Sequence, residues 1–176
     1  MVDTNVRSVK RTDTGATILT KATAKMSSLC NHCAMIDHCE HRAQISSAAH
    51  AGKLTVSVTN CAEYRYPIHF VDTKGTNAHS FNTVRLGEAW SKRLNVGDTV
   101  GLLNHEKRLI TTAQVRLIEV VSLDTVGLLP YASQNHMLID EDIDADQAAD
   151  KLLKILRNSY GKLVFERNRT ATIIGF

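Results

Sequence analysis

Between Ser80 and Gly101 the sequence reads SFNTVRLGEAWSKRLNVGDTVG, and this stretch leaves the chain little freedom. Thr83, Val84, Arg85 and Leu86 alternate polar with apolar, the period of a strand with one face buried, and Gly87 breaks the run. Glu88 to Leu94 suits a short helical turn carrying Trp90, Lys92 and Arg93. Val96, Gly97 and Asp98 form a tight turn, and Thr99 to Leu103 starts a second, more apolar strand. The order is therefore strand, basic turn, strand, with Thr83 and Arg85 on one face of the first.

The rest of the chain must supply partners for those strands. Leu54 to Thr59 alternates as a strand. Arg65 to Val71 is another, and Pro67 restricts it to an edge or a bulge. Asp72 to His79 is a polar loop holding Lys74 and Gly75. Thr112 to Val121 is one long apolar strand, and Lys162 to Glu166 and Thr170 to Phe176 are the closing strands, turned by Arg167, Asn168 and Arg169. Ala145, Ala148, Ala149, Leu152, Leu153 and Leu156 make one helical stripe that Gly161 ends, and the acidic run from Asp140 to Asp146 suits that helix's N-terminus. Several short strands beside one long helix predict an α+β fold, and closing the strands into a small barrel removes exposed edges.

A chain of 176 residues with 43% hydrophobic content has material for one core, or for a core with a small appended unit. The expected division is an N-terminal arm and Cys-rich segment over 1–53 and a barrel domain over 54–176. No apolar run is long enough for a bilayer and no signal-type apolar region follows Met1, so a cytoplasmic protein without a membrane partner is expected. The net charge of +3 does not mark a nucleic-acid binder by itself, so any basic surface has to come from local clustering. The segment before Lys25 is polar and basic. It reads as a solvated arm, as a phosphate-contacting one, or as a short edge strand within Val2 to Val9 or Ala16 to Leu19.

All four cysteines lie in the first third, at Cys30, Cys33, Cys39 and Cys61. A two-residue spacer lets Cys30 and Cys33 reach one centre, and thiolates are soft ligands suited to iron–sulfur clusters or zinc. In a reducing compartment metal ligation is the better reading than disulfides. His32, His38 and His41 leave a zinc site with three cysteines and a histidine open. Closing residues 34–42 onto Cys61 through metal bonds would fasten a segment too short and polar to build its own core. The C-x2-C-x5-C run with a distant single Cys resembles the cluster element of nuclease domains of recombination and CRISPR adaptation. That resemblance implies a [4Fe-4S] cluster, with Zn2+ as the alternative.

The string TVRLG, followed about ten residues later by VGD and an apolar strand, resembles the ASCH family, relatives of the PUA RNA-binding domain. The resemblance extends from Phe81 through Leu123, Asp124 and Thr125 to Phe176. It implies a PUA-like small β-barrel with peripheral helices, here with an N-terminal metal-bound extension, and a cleft beside Thr83 and Arg85 that faces RNA, single-stranded nucleic acid or a modified nucleoside. Arg85, Lys92, Arg93, Trp90 and Lys74 are the candidate binding residues. A guanidinium takes phosphate or a base edge bidentately, and Arg85 also has a structural alternative, pairing with Asp98 or Glu88.

One branch of the family hydrolyses the acetyl group of N4-acetylcytidine with a lysine three residues before the motif threonine and a glutamate after the LDT segment. Here Ser80 stands at the lysine position, and Ser133, Gln134, Asn135 and His136 follow LDT, so that route lacks two of its groups. Lys74 or His79 for the lysine, and His136 for the glutamate, are substitutes by proximity only. A second branch implies metal-dependent RNA cleavage. Thr83, Ser80 and His79 are the candidate catalytic residues, with His79 the nearest candidate base. A redox-sensing regulatory protein is the third reading.

Overall fold

The computed structural model describes residues 9–11, 17–21, 29–40, 55–61 and 64–176. The remainder of the basic arm, His41 and the start of the strand expected at Leu54 lie outside the described residues. The described chain is α+β, with nine strands in three sheets of three. No closed barrel forms among the described residues.

The chain divides into two compact units, one comprising residues up to His69 together with Val100–Thr112, the other Phe70–Thr99 together with Ala113–Phe176. In the first unit, β1 (Val9–Arg11), β2 (Thr17–Lys21) and β3 (Thr55–Asn60) form an antiparallel sheet in that order. β4 (Tyr66–His69) pairs in parallel with β6 (Thr99–Leu103), which also pairs with β7 (Leu109–Gln114). Pro67 sits on β4, an edge of that sheet, where its missing N–H costs no ladder bond. Ile68, Val100, Leu102 and Leu103 are buried.

In the second unit, β5 (Asn82–Leu86), β9 (Thr170–Gly175) and β8 (Leu117–Ser122) form an antiparallel sheet with β9 central. Three α-helices belong to it: α1 (Thr125–Leu128), α2 (Ala145–Tyr160) and α3 (Lys162–Arg167). The buried stripe of α2, Ala148, Ala149, Leu152 and Leu156, forms the core with Val84, Ala171 and Ile173. The Asp144 carboxylate caps α2 by accepting the Gln147 N–H at 2.8 Å, and Gly161 ends it at φ 78°. The LDT segment has a comparable local role: Asp124 caps α1 by accepting from Gly127 N, and the Thr125 hydroxyl donates to Asp150.

Two expectations are corrected. The single long strand from Thr112 to Val121 is two strands, because Val115 and Arg116 change partners. Val115 N donates to Asp98 O while Arg116 N donates to Gly175 O, so the chain leaves one sheet and enters another between them. Lys162 to Glu166 is helical, with Phe165 N bonded to Gly161 O at 3.0 Å. The run Lys-Leu-Val-Phe-Glu has no alternation to hold it as a strand, and so short an apolar run fits either period.

Candidate functional site

Strand alternation places the side chains of Thr83 and Arg85 on the face of β5 opposite Val84, which packs into the α2 core. Across the ladder Thr83 stands beside Ile174 and Arg85 beside Thr172. Thr83 is 3% exposed, so it belongs to the packed part of that face. Arg85 is half-buried. Its guanidinium carbon lies 5.3 Å from the centre of the Phe70 ring and 5.8 Å from that of Trp90. Arg93 lies 5.9 Å from the same indole, and the ring of His136 meets Phe70 at 4.9 Å and 89°. Arg93, Trp90, Arg85 and Phe70 thus form a row in which cations alternate with aromatic rings, and the His136 ring packs against its Phe70 end.

The hydroxyl of Tyr160, the last residue of α2, faces Arg85 and favours its charged form. Burial lowers its pKa below the ordinary arginine value, and Tyr160 opposes that shift. It stays charged at neutral pH, since arginine begins so far above it. Its guanidinium presents donors only and lies within cation–π reach of two rings, an arrangement suited to phosphate oxygens or to the acceptor atoms of a base. Contacts of this kind contribute about 0.5–2 kcal/mol each, depending on how dry the site is.

The other sequence-predicted residues fall around this row. Trp90 O accepts from Arg93 N and Leu94 N, so the basic turn is a single helical turn. Lys92 is spent on Glu88, 3.6 Å away along that turn. Lys74 pairs with Glu141 at 3.9 Å, and its carbonyl meets His136. The Ser80 hydroxyl donates to Phe176 O at 3.2 Å, and His79 is exposed. The predicted catalytic residues therefore differ in setting: Thr83 is packed, Ser80 is bonded to the backbone, and His79 stands in solvent. Phe70 and Tyr160 were not legible as site residues. Phe70 follows a strand and Tyr160 ends a helix, and neither position carries a motif.

The cysteines lie in the first unit. Cys30 belongs to a 3₁₀ turn, Leu29–His32, that lies beside β3, and Cys61 follows β3 directly. The side chain of Cys30 lies outside the described residues. Ala34 N donates to Arg65 O at 3.0 Å, and Arg65 N donates to the Cys33 sulfur at 3.5 Å. Tyr64 N in turn donates to Cys61 O at 3.2 Å. These bonds join the segment after Cys30 to the segment after Cys61. Gly101 permits the approach on the β6 side, where a Cβ would meet that of Ala34 at 2.2 Å.

Cys33, Cys39 and Cys61 are half-buried and free. Among the described residues no three His, Cys, Asp or Glu side chains converge on one point. The Arg65 N–H is aimed at the Cys33 sulfur, which accepts it. Tyr64 donates its hydroxyl to His32 O at 3.3 Å, and its pKa is raised by burial first, then by Tyr66 and Cys33.

No helix among the described residues is long and apolar enough to cross a membrane. Compared with family models, with curated proteins and with solved structures, the chain matches none.

Proposed function

We propose that this protein binds single-stranded RNA or a nucleotide at the row of Arg93, Trp90, Arg85 and Phe70, in a PUA-like module of the ASCH type. The observation that carries the reading is the guanidinium of Arg85 lying against two aromatic rings, Phe70 and Trp90. Charge alone does not account for it, because Lys74 and Lys92, also cationic, are turned to Glu141 and Glu88. A row with so few rings suits one or a few nucleotides, each base stacking on an aromatic or guanidinium plane while phosphate meets the remaining donors. The ASCH resemblance in TVRLG and VGD points the same way.

Cys30, Cys33, Cys39 and Cys61 would hold a metal in the first unit, a [4Fe-4S] cluster or Zn2+. The Arg65 N–H on Cys33 and the backbone bonds joining the two cysteine segments support this part of the reading. Four thiolates would complete a closed, structural site, and such a centre would supply folding energy to a lobe of short strands.

Trp90 is the only tryptophan in the chain, so its fluorescence reports on the site directly. Titration with short single-stranded RNA at low ionic strength is expected to quench that emission, with affinity falling as salt is added. No change in Trp90 emission and no binding by anisotropy with any of the four homopolymers would overturn the proposal.

A further inference from the structure

The turn after Tyr131 brings to Phe70 a histidine whose tautomer is already decided. His136 is 6% exposed, and its Nδ1 lies 3.1 Å from the Lys74 carbonyl oxygen. A carbonyl only accepts, so Nδ1 carries the proton and the neutral ring keeps its lone pair on Nε2. Nε2 makes no hydrogen bond within the described residues, and it is not closed off from solvent. In a ring only 6% exposed, an acceptor of fixed direction is thus left without a partner among the described residues, at the end of a row that otherwise presents donors.

The backbone around it is held more firmly than a surface turn needs. His136 N donates to Asn82 O at 3.0 Å, Asn135 Nδ2 to Asn82 Oδ1 at 3.2 Å, Asn82 Nδ2 to Tyr131 O at 2.7 Å, and Met137 N to Asn135 Oδ1 at 3.1 Å. Gly75, at φ 67°, lets the Lys74 loop close on this turn, since a Cβ there would lie 2.2 Å from His136 O. The charged groups facing the ring are Arg85 from β5 and Asp72 from the loop after Phe70. Burial lowers the ring's pKa below 6.5, Arg85 lowers it further, and the Lys74 carbonyl and Asp72 oppose them, so it is neutral at pH 7.

We propose that Nε2 of His136 is the acceptor that sets specificity at this site, taking a hydrogen bond from a base N–H of a nucleotide whose phosphate or base acceptor edge is held at Arg85. This rests on the nucleotide-binding reading above. Arginine offers only donors, and a site of donors alone takes any phosphate. Adding one fixed acceptor makes the pair complementary to a base edge that carries a donor as well, and a ligand lacking that donor leaves Nε2 desolvated and unpaired.

The test is the pH dependence of RNA binding by the full chain, using the homopolymeric oligonucleotide that binds best. As pH falls from about 7.5 through the depressed value of the folded ring, protonation turns Nε2 into a donor, and wild-type affinity is expected to fall about tenfold, the worth of one hydrogen bond. His136→Gln, which offers a carbonyl that does not titrate, is expected to flatten the profile. Affinity that rises as pH falls, or equal slopes in wild type and variant, would overturn the inference while leaving the binding reading intact. Should the variant not fold, the 15N resonance of Nε2 in the wild type decides: it is expected to shift on binding RNA, and an unmoved resonance overturns the inference. Absence of binding at every pH ends both.

Discussion

At the scale of single residues, the row depends on the shape of a guanidinium as much as on its charge. Arg85→Lys keeps the cation but loses the planar guanidinium that lies against Phe70 and Trp90. RNA affinity is expected to fall about tenfold, at the upper end of what such contacts are worth, while the salt dependence stays that of the wild type. Anisotropy titrations at several salt concentrations check both, and a lysine variant that binds as tightly as wild type would show that only charge matters. Arg85 itself was legible from the alternation of Thr83 to Leu86. Phe70 was not, because strand period says which way a side chain points along its own segment and nothing about which distant ring lies across from it.

At the scale of elements, α2 is the part whose role the sequence declares most fully. Its stripe of Ala148, Ala149, Leu152 and Leu156 repeats at helical spacing and lies against Val84, Ala171 and Ile173. Leu152 is among the largest fully buried side chains, so Leu152→Ala is expected to cost about 2–5 kcal/mol, with a cavity term in that range. Asp144→Ala removes only the cap and is expected to cost about 1 kcal/mol. Urea titrations of the two variants rank them, and the reverse order would mean the stripe is not the core. The elements read less well are those whose fate is set by what they pair with. Val115 and Arg116 look like the middle of one strand, yet they bond to Asp98 and Gly175 on different elements. Lys162 to Arg167 is helical because Gly161 starts a new turn directly after α2.

At the scale of the whole molecule, each unit carries its own dependence on solution conditions. In the second unit His136 is buried neutral, and burial is the largest cause of its lowered pKa. The unfolded chain then binds a proton more readily than the folded one. The stability due to the neutral ring is fully present above the ordinary histidine value of 6.5 and is lost as pH falls from there through the depressed folded value. Denaturant midpoints measured across that range are expected to fall with pH in the wild type and to change less in His136→Gln. In the first unit the four cysteines make metal content the comparable variable. Protein purified without oxygen is expected to carry iron with sulfide, or zinc, and Cys61→Ser to lose most of it together with thermal stability. Metal analysis with an absorption spectrum reads this out, and metal-free wild type of unchanged stability would remove the cysteine reading.

The sequence by itself determined the period of β5 and of α2, the acidic start of α2, the restriction of Pro67 to an edge or a bulge and the grouping of four thiols in the first third of the chain. These follow from local rules, since alternation, stripe, acidic run and spacing involve residues within a few positions of one another. Only the tertiary structure decided that Arg85 lies against both Phe70 and Trp90, that Tyr160 faces it, and that His136 is fixed by Asn82 and Lys74 with Nε2 left without a partner among the described residues. Each of those contacts joins segments whose separation along the chain gives no directional information. Their geometry is fixed by where β9 and α2 hold the segments on either side.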